Sequence, residues 1–244
     1  MSALQYIKHQ DIDLIKWDYT ILHSQIPFVF AQSFYLNATC PNWDALVIGD
    51  YEAVFPITYK TKFGYRYLPQ PPFTSQLGAY GRVNLETEQQ FYNYVIEHFN
   101  LIDVELNVSN QLQSEFISKK NTYTLNYSEG YKFNQNTKRN IAKANENGFV
   151  VERVLNNEII MLSQKYLNPF LEKEVSLSKA TVSLLDNLLK NTDLAGQLYT
   201  FQVLDKNHTI KALGHFICNG KHALYLKGTN FDKADNSGSM HLLM

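Results

Sequence analysis

The chain has 244 residues, 45% of them hydrophobic and 18% charged, and its 22 basic and 23 acidic side chains leave a formal net charge of -1. That composition excludes a disordered chain, and the charge balance excludes wholesale binding of nucleic acid or anionic membrane, so any phosphate site must be local. Two cysteines, Cys40 and Cys218, are too few for a disulfide framework or an unaided zinc site.

The N-terminal stretch MSALQYIKHQDIDLIKWD is too charged for a signal-peptide core, and no apolar run approaches the length of a membrane span. A cytoplasmic location is the expectation, and the Asn-x-Ser/Thr triplets at Asn37, Asn107, Asn126 and Asn207 are then chance. A helix is expected near residues 10–22 and a helical turn around 32–36. Residues 43–48 read as a strand, Gly49-Asp50 as a turn and 51–60 as the returning strand. A further extended segment, 65–68, runs into the rigid Pro69-Gln-Pro-Pro72 stretch. Six of the seven prolines (Pro27, Pro41, Pro56, Pro69, Pro71, Pro72) precede residue 73. Interrupted strands and rigid turns are therefore expected early in the chain. Residues 86–100 carry helical periodicity through Phe91, Val95 and Phe99, with Asn84 as the cap. Residues 102–108 alternate as a strand, a short helix follows, and 122–127 is another strand.

The second half repeats the pattern of helices followed by strands. Residues 132–147 form a helix stopped by Gly148. A strand at 149–154 precedes two helices, 156–168 and 178–191, the second capped by Ser176 or Ser178. Strands at 198–204, 210–218 and 223–227 then follow through tight turns, and Asn219-Gly220 suits a type I′ hairpin. A last helix starts at Ser237. The segment order gives two α/β lobes that meet near residues 126–131.

Three segments carry candidate chemistry. The stretch 131–145, YKFNQNTKRNIAKAN, holds Lys132, Lys138, Arg139 and Lys143 and no acid. On a helix Lys132, Asn136, Arg139 and Lys143 share one face over roughly 16 Å, while Phe133, Thr137, Ile141 and Ala144 form the packing face. Such a stripe can grip a phosphate and the amides or hydroxyls of a substrate, although a solvated helix face has the same spacing. In 59–73, Lys60, Lys62 and Arg66 interleave with Tyr59, Phe63, Tyr65 and Tyr67. Aromatic platforms beside cations bind nucleotides or phosphorylated ligands, and an exposed hairpin gives the same alternation. The third segment is His222–Asp232 with the following Ser237-Gly238-Ser239, where free helix amides offer an anion site. It lacks the lysine and spacing of a P-loop and the glycines of a dinucleotide fold. No Gly-x-Ser-x-Gly elbow, His-Glu-x-x-His or Cys-x-x-Cys is present, so no metal is expected. His215 reads as a base or as a packing residue with one satisfied nitrogen. Glu172 and Glu174 read as solvated.

The segment 136–148, NTKRNIAKANENG, resembles the Asn-Thr-Arg-Arg-Asn-Ile-x-Lys-Ala pattern of Fem-type aminoacyltransferases and related GNAT-like acyltransferases. Gln32-Ser-x-Tyr35, WDALVIGD at 43–50 and AVFPI at 53–57 are similar to that group's first lobe. YLKGTN at 225–230 and the following Ser-Gly-x-x-x-Leu-Leu are similar to its second. The resemblance implies an α/β (α+β) protein of tandem GNAT-like lobes, 1–128 and 129–244, with mixed, largely antiparallel sheets flanked by helices. The second lobe is shortened at its C-terminal end, which leaves room for a partner or further chain to complete it. The implied activity is N-acyl or aminoacyl transfer from acyl-CoA or aminoacyl-tRNA to a small-molecule or peptide amine, with tRNA as a possible partner and no metal. Tyr225, Lys227 and Gly228 are then expected at the acyl group. Lys132, Arg139, Lys143, Ser237 and Gly238 take the phosphate-bearing substrate, and Lys60 and Arg66 close the site from the first lobe. The competing expectation is a non-catalytic GNAT-like module that binds a phosphorylated ligand or a protein. A nucleic-acid binder built on the basic helix alone fits the neutral net charge poorly.

Overall fold

The computed structural model describes residues 3–114, 117–126, 128, 130, 132–155, 158–220, 222–231 and 237–244. The chain divides into two compact units, Met1–Ser114 with Ser183–Thr192, and Glu115–Val182 with Asp193–Met244.

The first unit is built on an antiparallel sheet in the order β1 (Leu4–Ile7), β2 (Asp44–Ile48), β3 (Ala53–Ile57) and β6 (Tyr80–Gly81). Both central strands, DALVI and AVFPI, are buried along their whole length, as an apolar run covered on both faces requires. Leu46, Ile48, Ala53, Phe55 and Ile57 share a core with Phe91, Val95 and Phe99 of α3 (Leu85–His98). Helix α1 (Leu14–Leu22) packs on β3, β6 and α2 (Ser33–Thr39), and Trp17, Ile21, Tyr35, Leu36 and Trp43 are fully buried. Pro56 is tolerated in a central strand because β6 pairs only with Ala53 and Val54, leaving that side of the ladder open beyond them. Asn84 caps α3 as expected, its Oδ1 accepting the Thr87 N–H at 2.8 Å. The expected 10–22 helix is broken. A 3₁₀ turn, His9–Asp11, comes first, and Asp13 then restarts the chain by accepting the Ile15 and Lys16 amides.

A smaller sheet follows the order β4 (Lys60–Lys62), β5 (Tyr65–Pro69), β7 (Leu101–Asp103). The strand expected at 102–108 pairs only over its first residues, in parallel with β5, and leaves a lone parallel bridge from Leu106 to Leu77. No helix follows it among the described residues up to Asn126, and the strand expected at 122–127 does not form over 122–126. Tyr123 and Leu125 there are exposed, and no strand among the described residues pairs with this stretch, so alternation alone does not make a strand. Tyr127 lies outside the described residues.

The second unit carries one antiparallel sheet, β8 (Val150–Val154), β9 (Leu198–Leu204), β10 (Ile210–Cys218) and β11 (Ala223–Asn230), as the hairpin signals predicted. Helix α4 (Gln135–Glu146) starts at Asn134, whose Oδ1 accepts the Thr137 N–H, and stops at Gly148 with φ 71°. The expected 156–168 helix is α5 (Glu158–Leu162), a π-helical turn (Ser163–Leu167) and α6 (Asn168–Lys173). Pro169 cannot donate a helical amide, and the widened turn lies just before it. Ser178 rather than Ser176 caps α7 (Lys179–Leu194), its Oγ accepting the Thr181 amide, and the helix passes into the first unit over Ser183–Thr192. The Asn-Gly pair is not the centre of its hairpin. The Asn219 amide donates to the His222 carbonyl, so Asn219 ends the ladder and Gly220, with φ 87°, begins the loop. Helix α8 (Ser239–Leu243) packs on α4 and on β9, β10 and β11 over a core of Ala144, Phe149, Val203, Ala212 and Leu243.

Candidate functional site

In the second unit, α4 is two-sided from Asn136 onward as its spacing predicted, but Lys132 and Phe133 precede the helix and Phe133 is exposed rather than packed. Asn140 and Ala144 are buried and Thr137 and Ile141 half-buried, while Lys132, Asn136, Lys138, Arg139 and Lys143 are exposed. Arg139 leans along the helix and donates from Nη2 to Asn136 Oδ1 at 3.2 Å. That leaves further guanidinium donors on a surface that carries no acid from Lys132 to Asn145.

Asn140 is the residue that spacing missed. It stands in the packed stripe, and its Nδ2 lies 3.4 Å from His241 Nε2 of α8. A Cβ at Gly238 would come within 2.0 Å of the Asn140 carbonyl oxygen, and Gly238 itself has φ 79°. Only glycine lets the two helices approach this closely. Ser237 and Ser239 are fully buried at this junction, Ser239 donating to Asn230 Oδ1 at 3.2 Å, while Ser237 Oγ has no hydrogen-bond partner among the described residues. The Ser237-Gly238-Ser239 turn therefore packs against α4, and α8 is only five residues long.

Tyr225, Lys227 and Gly228 lie on β11. A β-bulge falls between them: Lys227 pairs with His215, but Tyr225 pairs with Phe216. His215 and Phe216 are consecutive in β10 and point to opposite faces, so Tyr225 and Lys227 do as well, where an unbroken strand would align them. The Tyr225 ring packs on Phe216 at 5.4 Å. Gly228 is required beneath it, since a Cβ there would meet the Leu213 carbonyl oxygen at 2.5 Å and the Tyr225 hydroxyl at 2.7 Å. Burial holds the Tyr225 phenol above its ordinary pKa, so it is a hydrogen-bond donor at neutral pH.

On the Lys227 face, His215 is fully buried, with Nδ1 2.8 Å from Thr200 Oγ1 and Nε2 without a hydrogen-bond partner among the described residues. Burial lowers its pKa to about 4, which keeps the imidazole neutral. An open groove of about 310 Å³ lies nearby in the same unit, lined by Pro169, Phe170, Lys173, Glu174, Thr229, Asn230 and Phe231.

In the first unit, Arg66 is built into the fold. Its guanidinium lies 4.6 Å from the Tyr59 ring centre and 4.7 Å from that of Phe99, and Nη2 donates to the Tyr6 hydroxyl at 3.0 Å. Tyr6 donates in turn to Asp44, which also accepts from Lys8 Nζ and the His9 amide. Asp44 is 3% exposed, and this network was not visible from spacing because its members come from four separate segments. Lys60, by contrast, is exposed on β4. Burial pushes the Cys40 thiol up to about 11, so it is not an activated nucleophile. No group of three His, Cys, Asp or Glu side chains able to hold a metal ion occurs among the described residues.

Mixed α and β elements in three mostly antiparallel sheets, flanked by helices, define a Fem-type fold. A solved structure described as the crystal structure of FemX superposes with a TM-score of 0.66, covering 98% of this chain and 83% of that one at 12% identity. No family model and no curated protein matches the chain by sequence. No helix among the described residues is long and apolar enough to cross a membrane.

Proposed function

We propose that the protein transfers an acyl or aminoacyl group from a phosphate-bearing donor, acyl-CoA or aminoacyl-tRNA, to the amine of a small molecule or peptide. The observation that carries this reading is the Fem-type fold across 98% of the chain. Support comes from the acid-free cationic stripe on α4 and from the bulged β11 strand with its protonated tyrosine. Tandem GNAT-like lobes are part of the same reading.

The chemistry needs three things: a neutral amine, a donor for the developing oxyanion, and a proton for the departing thiolate or ribose oxygen. Tyr225 is assigned to the acyl group, because its hydroxyl, protonated at neutral pH like any phenol, can donate a hydrogen bond and Gly228 leaves space for it. Lys132, Arg139 and Lys143 are assigned to donor or acceptor phosphates, where an arginine fork and flexible lysines provide charge-assisted bonds. Lys60, exposed on β4 of the first unit, is given no part in the transfer. Lys227, on the opposite face from Tyr225, is the alternative catalytic group. Ser237 and Gly238 hold α8 against α4, and on this reading they affect phosphate binding through that junction.

Mass-spectrometric detection of an acylated amine, screened over acyl-CoAs and aminoacyl-tRNAs, tests the reading. Tyr225→Phe should lower turnover at least tenfold while donor binding persists. Transfer abolished in Lys227→Ala but kept in Tyr225→Phe would move the chemistry to the other face. No product with any donor, together with tight binding of a phosphorylated ligand, would favour the non-catalytic module.

A further inference from the structure

The β4–β5 hairpin holds a surface that acyl transfer does not explain. Its register pairs Lys60 with Tyr67, Thr61 with Arg66 and Lys62 with Tyr65. Side chains alternate across a strand, so Thr61 and Arg66 share the face on which Arg66 meets Tyr59, Phe99 and Tyr6. The other face carries Lys60, Lys62, Tyr65 and Tyr67. Phe63 and Gly64 form the turn with φ 50° and 81°, the positive values of a type I′ turn. This strained position is held by Phe63, which is 89% exposed, and Tyr65 is 65% exposed. Lys62 Nζ lies 5.5 Å from the Phe63 ring centre.

The outer face is thus a short ladder of lysine–tyrosine pairs ending in a bare phenyl ring. Cross-strand neighbours sit about 5 Å apart. Tyr65 and Tyr67, two residues apart, are separated by about 6.7 Å along the strand. That is about twice the rise of a stacked strand, so bases resting on both rings are unstacked from one another.

Charge and chemistry select the partner. From Ala53 to Leu85 the chain has Lys60, Lys62, Arg66 and Arg82 and no acid, although the whole protein is near neutral. A polyanion is the complementary partner. From Thr58 to Tyr67 there is no aliphatic side chain, and three of the four aromatic residues are tyrosines. A membrane-inserting tip is built from leucine, tryptophan and phenylalanine, which sink into acyl chains, whereas tyrosine rings beside lysines suit planar bases joined by phosphates. A duplex hides its base faces from such rings and a single strand does not.

We infer that the outer face of the β4–β5 hairpin, Lys60, Lys62, Phe63, Tyr65 and Tyr67, binds single-stranded nucleic acid, with the rings taking bases and the lysines taking phosphates. The inference goes beyond the transfer reading and does not depend on it.

The test is fluorescence anisotropy of the full chain with a labelled single-stranded oligoribonucleotide of about ten nucleotides. The same sequence as a duplex, and vesicles of phosphatidylserine and phosphatidylcholine, are run beside it. The single strand should bind at least tenfold more tightly than the duplex. Phe63→Ala and Tyr65→Ala should each weaken it about tenfold, as removal of one base–ring stack does. Lys60→Gln with Lys62→Gln should reduce the slope of log K against log salt by about 1.4, or about 0.7 for each phosphate deprived of its lysine. Thr61→Ala, on the other side of β4, should leave binding unchanged, and melting temperatures identify any variant that has lost its fold. Equal affinity for duplex, insensitivity to Phe63→Ala and Tyr65→Ala in folded variants, binding to the vesicles alone, or no binding would each overturn the inference. None of these assays contains a donor or an amine, so its failure is distinguishable from failure of the transferase reading.

Discussion

Arg66 and Arg139 sit in similar sequence surroundings, each among lysines, without acids close by, and beside aromatic or amide side chains. The fold uses them in opposite ways. Arg66 is enclosed by Tyr59, Phe99 and Tyr6, and through Tyr6 it is tied to the buried Asp44, so its charge holds β1, β2 and β5 together. Arg139 stands on the exposed side of α4 with a single amide contact, and the helix packs through Asn140 and Ala144 instead. A cation surrounded by rings has been recruited as structure, while one on a helix face away from the packed stripe stays exposed. That difference depends on what the rest of the chain brings to each arginine.

The contrast can be strained at its strongest point first. Asp44→Ala removes the acceptor of the Tyr6 hydroxyl, Lys8 and the His9 amide at a site 3% exposed. It should cost about 3 kcal/mol in urea unfolding, because buried donors are left without their partner. A change under about 1 kcal/mol would show that the network is not structural.

The second unit has its own buried polar pair, and its response to pH sharpens the comparison. His215 has a pKa lowered to about 4 by burial, against about 6.5 in the unfolded chain. The unfolded state therefore binds this proton more readily. Its contribution to stability is complete above about pH 6.5 and is lost as pH falls from 6.5 towards 4, by roughly 3 kcal/mol. His215→Gln should flatten that part of the stability profile in unfolding titrations. An unchanged slope would mean that His215 protonates without penalty.

A smaller effect belongs to Arg66 itself. Arg66→Ala should lower stability by about 1–2 kcal/mol, since the rings no longer face a cation and the bond to Tyr6 is gone. Smallest of all is Arg139→Ala, within about 0.5 kcal/mol of the parent, since an exposed side chain with one amide contact contributes little. Equal destabilisation in the two variants would erase the distinction.

The legibility of the molecule in its sequence follows the same division. Segments whose pattern is self-contained were readable: the α3 and α4 helices with Asn84 and Gly148 at their ends, the β9–β11 meander, and the exposed face of α4. The 122–126 stretch alternates correctly but pairs with no strand among the described residues, so local pattern misled where no pairing supported it. Pro169 hid a π turn, because a proline announces an interruption without saying how the chain absorbs it. Of the proposed phosphate contacts, Arg139 and Lys143 share the exposed face of α4 as their spacing indicated, whereas Lys132 precedes the helix, which starts only after Asn134. The separation of Tyr225 from Lys227 was not, since a one-residue bulge in β11 is a property of its pairing with β10. Asn140 was passed over as one amide in an asparagine-rich segment, and its role came from Gly238 and His241, some hundred residues away.

The most direct measurement of the central claim is the thermal shift produced by acyl-CoA and by aminoacyl-tRNA in the parent, Arg66→Ala and Arg139→Ala proteins. The account predicts that Arg139→Ala melts with the parent when unliganded but forfeits most of the donor-induced shift. Arg66→Ala should melt lower without donor and still gain a shift when donor is added. An Arg139→Ala protein that is stabilised by donor as fully as the parent would contradict the assignment of the α4 stripe to the phosphate-bearing substrate.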